Sequence, residues 1–106
     1  MSQSSEIDLA ADHRRMVLDI LHANLPANAK AWVFGSRAIG RARRYSDLDL
    51  VIDASRPLTL DETAKLSEAF SESDLPYRVD VVDWRVVDDH WRHVLAARRV
   101  ALIEVG

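Results

Sequence analysis

Two aspartates stand two residues apart in Asp47-Leu48-Asp49, and a third lies within Tyr77-Arg78-Val79-Asp80-Val81-Val82. In an extended chain, residues i and i+2 project to the same face. Asp47 and Asp49 are therefore expected side by side, with Leu48 and Leu50 turned toward a core. Neighbouring carboxylates repel, and a divalent cation between them relieves the repulsion. The set holds only oxygen donors and the chain has no cysteine, so the chemistry selects Mg²⁺ or Mn²⁺ over Zn²⁺. Asp80 faces away from Val79 and Val81, and an acid simply buried there would be costly. If its strand lies beside that of Asp49, three carboxylates can hold two cations about 3.5–4 Å apart. Such a pair clamps the attacking and leaving oxygens of an in-line phosphoryl displacement.

Gly35-Ser36 precedes Asp47 by ten intervening residues. It leaves a short apolar run and opens a turn. A glycine there admits a ligand close to the backbone, free N–H groups at a helix start attract phosphate, and Ser36 adds a hydroxyl. Arg37 follows directly, and a guanidinium matches phosphate oxygens. A solvated loop accounts equally well for the basic run Arg37, Arg41, Arg43 and Arg44; otherwise Arg43 and Arg44 would orient an acceptor or a partner. Asp83 is the rival third acid. It is offset by three residues, faces the opposite side of a regular strand, and reads as a helix N-cap. His90 and His93 lack a third ligand and read as structural. Trp32, Trp84 and Trp91 read as core or interface residues.

These groups need a scaffold. Apolar residues at helical spacing (Leu9, Met16, Val17, Ile20, Leu21, Leu25) predict a helix over 7–25, ended by Pro26. Strands are expected over 31–34 and 48–52. Residues 36–46 form a polar connection with a short helix at its start. Thr59 and Glu62 match a capping box opening a helix over 59–70. A strand over 77–82, an amphipathic helix over 86–95 and a last strand over 100–105 complete the order α-β-β-α-β-α-β. The fold class is α+β: a small mixed sheet of three to four strands covered by helices, in one domain spanning 1–106.

Apolar residues at 48% suffice for one core, and 29% charged residues are ordinary for a soluble chain. A net charge of −3 and a pI near 5.7 argue against extended nucleic-acid binding. No run approaches a membrane span and no secretory signal is visible, so a cytoplasmic location is expected.

Gly35-Ser36, ten residues, then Asp47-x-Asp49 resembles the DNA polymerase β-like nucleotidyltransferase superfamily. The string FGSRAIGRARRYSDLDLVI looks like its minimal (MNT) members. The resemblance implies a polymerase β-like palm fold and catalysis by Asp47, Asp49 and Asp80, with Asp47 and Asp49 on both of two Mg²⁺ ions and Asp80 completing one site. It implies that Gly35 and Ser36 hold the triphosphate of an NTP, with ATP the expected substrate. MNT proteins are often paired with a HEPN-domain toxin, and some resemble antitoxins that transfer AMP to it. The implied function is AMP transfer from ATP to a hydroxyl of a HEPN partner. A non-catalytic antitoxin that masks the toxin and a transferase acting on a small-molecule hydroxyl are the alternatives.

Overall fold

A computed structural model of the chain describes residues 9–37, 46–98 and 100–104. Ile7, Arg41, Arg43, Arg44 and Val105 lie outside the described residues, as does the side chain of Ser36. The elements run α1 (Ala11–Asn24), β1 (Lys30–Phe34), a 3₁₀ turn (Gly35–Arg37), β2 (Leu48–Asp53), α2 (Leu60–Ser71), β3 (Val79–Asp83), α3 (Asp89–Arg98) and β4 (Val100–Glu104). The strands form one sheet in the order β3-β2-β1-β4. β1 is antiparallel to both β2 and β4, and β2 is parallel to β3.

Alternation in β2 assigns the two faces. Leu48, Leu50 and Ile52 are wholly buried and pack with Val17 and Leu21 of α1, Leu66 and Phe70 of α2, and Ala31 and Val33 of β1. On the opposite face Val51 joins Trp32 and Leu95 of α3, with Phe34, Val82 and Trp84 packed against them. The connections explain this division. From β2 through α2 the chain moves one strand outward; from β3 through α3 it returns across the sheet to β4. Two parallel crossovers of the same hand, running in opposite directions, must pass over opposite faces. α1 and α2 thus share one face and α3 takes the other, leaving open the end of that face where β2 and β3 begin.

Thr59 caps α2 as its sequence predicts. Its hydroxyl accepts from the Glu62 N–H at 3.0 Å, and Glu62 Oε1 accepts from the Thr59 N–H at 2.9 Å. Arg56 grips the same carboxylate through two nitrogens at 2.8 Å. α3 departs from expectation: its cap is Asp88, whose Oδ1 accepts from the Trp91 N–H, and the helix starts at Asp89 rather than near Val86. Asp83 is not a helix cap. Its carboxylate accepts from the Leu58 N–H and the Arg85 N–H, fastening the approach to α2 and the turn after β3. Val86 and Trp91 are 66% and 54% exposed. His90 and His93 are exposed on α3. Among the described residues no helix is long and apolar enough to cross a membrane.

The cap yields a stability test. Thr59→Ala should cost about 1 kcal/mol, a fall of roughly 4–8 °C in Tm for a domain of this size. The Arg56 hydrogen bond, followed by that from the Thr59 N–H, holds Glu62 down at about 2, against an ordinary 4.5. A depressed carboxylate stabilises the fold above its unfolded value, and that stability is lost as the pH falls through the folded value. The Tm gap between the wild type and Glu62→Gln should therefore be full above pH 4.5 and close toward pH 2. A gap independent of pH would contradict it.

Candidate active site

Parallel pairing of β2 with β3 sets Asp49 opposite Asp80, and antiparallel pairing sets Phe34 opposite Asp49. Directly beyond Phe34 the chain turns at Gly35, with φ at +79°. The site is thus one row across three adjacent strands: the β1 terminus with its turn, then Asp49, then Asp80. A Cβ placed on Gly35 would lie 2.7 Å from Asp49 Oδ2. Glycine is needed here twice, for its left-handed backbone and for the closeness of the carboxylate. Asp47 sits just outside β2, which starts at Leu48 as expected and runs one residue further, to Asp53.

Burial is the largest influence on Asp49. Together with the charges of Asp80 and Asp47, it pushes the carboxyl above its ordinary range, against a partial offset from Arg78. Both of the other acids therefore act on Asp49. Asp53 lies four residues along on the same face and behaves oppositely. Burial again opposes its charge, but the Arg85 hydrogen bond, the Ser55 N–H and the charges of Arg85 and Lys30 outweigh it and hold the carboxyl low. Arg85 Nε meets Asp53 at 2.8 Å. One acid of this face is neutralised within the fold, whereas Asp49 carries a charge the fold does not settle.

Arg78 stands among the acids. Its Nη2 is 3.1 Å from Asp47 Oδ2 and its Nε 3.7 Å from Asp80 Oδ1. Two residues before Asp80 in the chain, it shares that face by the same alternation that flagged the acids. Only this spacing marks Arg78 in the sequence, and an arginine beside a run of acids is otherwise commonplace. Among the described residues, no three carboxylate or imidazole groups converge closely enough to hold an ion as they stand. The donor set nevertheless fits a hard dication: carboxylate oxygens on one face, mutually repelling, with a guanidinium between two of them.

Arg37 is held within the fold. It is 5% exposed. Its Nε and Nη2 both donate to the Ser46 carbonyl, at 3.0 and 2.8 Å, and its guanidinium lies 3.9 Å from the centre of the Tyr77 ring. The Tyr77 hydroxyl in turn meets His13 Nδ1 at 3.1 Å. Arg37 therefore ties the residue before Asp47 to the turn bearing Gly35.

Two substitutions probe the row. Gly35→Ala should destabilise by about 1–2 kcal/mol from its positive φ alone and displace Asp49 besides, read as a lowered denaturation midpoint. For Asp49, the raised value means that the folded state favours the protonated acid. That contribution is present below the ordinary 3.8 and lost as pH rises through the raised value. Asp49→Asn should thus stabilise the metal-free protein at pH 7, by no more than about 1 kcal/mol given solvent screening, with the gain shrinking in acid. A lower Tm at pH 7 would refute this.

A family model described as polymerase beta nucleotidyltransferase matches residues 15–104. The "Probable protein adenylyltransferase MntA" of Haemophilus influenzae is 38% identical over 104 residues, covering 98% of this chain and 90% of that protein. Among solved structures, a toxin–antitoxin complex with AMP-PNP superposes with a TM-score of 0.74 at 24% identity, covering 86% of this chain and 73% of the other. An MNT antitoxin in complex with the tri-AMPylated Shewanella oneidensis HEPN toxin gives 0.66 at 23% identity, covering 86% and 69%. These two show likeness of fold. With the family matched over most of its length, the chain belongs to the polymerase β nucleotidyltransferase family.

Proposed function

We propose that this chain transfers AMP from ATP to a hydroxyl of a HEPN-domain toxin, as the antitoxin of the pair, in the cytoplasm. The observation that carries the reading is the row in which Gly35, Asp49 and Asp80 adjoin on neighbouring strands. The relative named as an adenylyltransferase and the AMPylated toxin complex support it. Asp47, Asp49 and Asp80 would hold Mg²⁺, which when bound supplies positive charge to the triphosphate and acidifies the acceptor hydroxyl. Gly35 and Ser36 would receive the triphosphate through backbone N–H groups. Asp80 would accept the acceptor's proton as its oxygen attacks the α-phosphorus and pyrophosphate leaves. Arg37 acts as a positioning residue, holding Ser46 so that Asp47 stays near the turn.

An apolar surface beside the row supports a protein as acceptor. A groove of about 310 Å³ is lined by Phe34, Val82, Val87, Trp91 and Leu95. Phe34 pairs with Asp49, and Val82 follows Asp80 by two residues on the same face. The test incubates the chain with α-labelled ATP, Mg²⁺ and its HEPN partner. Label should move to the partner, and Asp49→Asn should reduce the rate at least about 100-fold, as expected when a group acting in the transition state is lost. Full toxin neutralisation by Asp49→Asn without transfer would favour masking instead, and transfer undiminished in that variant would end the catalytic assignment.

A further inference from the structure

Arg78 is a cation placed between two of the acids that would bind a metal. Its guanidinium spans Asp47 and Asp80, and its backbone carbonyl accepts from the Leu48 N–H at 2.9 Å, so its stem is anchored where β2 begins. The head group is held at an open edge. The side chain is 74% exposed, and its partners Asp47 and Asp80 are 42% and 48% exposed. Ion pairs this open are weak, and a dication attracted by three carboxylates outcompetes a single guanidinium. Space to withdraw is at hand: Arg78 borders a depression of about 430 Å³ together with Ser67, Ser71 and Tyr77. The partner of Asp53 differs. Arg85 closes at 2.8 Å on a carboxylate only 14% exposed.

We infer that Arg78 is a displaceable counterion that weakens the hold of these acids on a free divalent cation, so that metal enters together with the nucleotide. This rests on the metal-binding role proposed above for the three aspartates. Free metal must expel Arg78 into water without compensation. Metal arriving with a triphosphate brings anionic oxygens, and the released guanidinium gains a new partner in them. The arginine thereby penalises metal alone more than metal with nucleotide.

The test titrates Mn²⁺ into the folded full chain, followed by electron paramagnetic resonance, first alone and then with a non-hydrolysable ATP analogue. Arg78→Gln should bind Mn²⁺ alone about three- to tenfold more tightly than wild type, the size expected when one screened charge is removed from beside a dication. With the analogue present that advantage should vanish or reverse. Arg78→Lys keeps the charge and should stay closer to wild type, which separates charge from lost bulk. Mn²⁺ affinity in Arg78→Gln equal to or below that of wild type overturns the inference. So does an equal tightening with and without nucleotide. Asp49→Asn is the control for the underlying site. If Mn²⁺ binding survives it in full, the metal assignment itself fails, whatever Arg78→Gln does.

Discussion

Everything at the site depends on the register of β2. Leu48, Leu50 and Ile52 fill one face of the sheet while Val51 fills the other, all wholly buried. Each such side chain contributes about 1.5–3 kcal/mol by leaving water. A slip of one residue would exchange the faces, turning Asp49 into the core beneath α1 and α2 and moving Leu48 and Leu50 out of it. The core therefore does more than hold the strand. It aims the carboxylate, because only one register satisfies both faces, and in that register Asp49 faces the end of the sheet that α3 leaves uncovered. β3 inherits the same aim through parallel pairing, so Asp80 arrives beside Asp49 with no separate device to steer it.

Electrostatics then divides the acids of this face into two kinds. Asp53 receives an arginine, a backbone N–H and a nearby lysine, and its charge is stabilised. Asp49 receives burial and two like charges, and its charge is opposed. A structural ion pair accounts for the first. The second costs folding free energy, the pattern expected of a functional site. The contrast is internal to one strand, four residues apart, so it does not arise from a general acidity of the chain.

Much of this was legible beforehand because it follows from period and spacing. Alternation around Leu48 and Leu50 placed Asp49, the valines around Asp80 placed the third acid, and Thr59 with Glu62 marked a helix start to the residue. The order of elements follows from the same patterns. Less legible were features decided by contacts between distant segments. Asp83 and Asp88 stand five residues apart on the approach to α3, and nothing local separates a cap from a strut. Asp83 is drawn away by the Leu58 N–H, 25 residues earlier. Arg37 followed Ser36 closely enough to suggest phosphate. Its burial depends on Tyr77, 40 positions on, whose ring receives it. Arg78 obeyed the same i, i+2 rule as the acids and could have been read from it.

The inward turn of Arg37 changes how the Gly-Ser turn and the Asp47 segment are related. Sequence spacing alone suggests two motif halves joined by a polar connection, each free to find its place. The guanidinium closes that connection at its base, where Nε and Nη2 donate to the Ser46 carbonyl. Tyr77 sits under the guanidinium and bonds His13 of α1, so the strut is rooted in the helical layer behind the sheet. A buried arginine with satisfied donors is costly to disturb and rigid while intact. The separation between the turn and the acids is thus set from the buried face, by residues that need never touch a ligand. On the exposed face the contacts of Arg78 with Asp47 and Asp80 stand open to water instead.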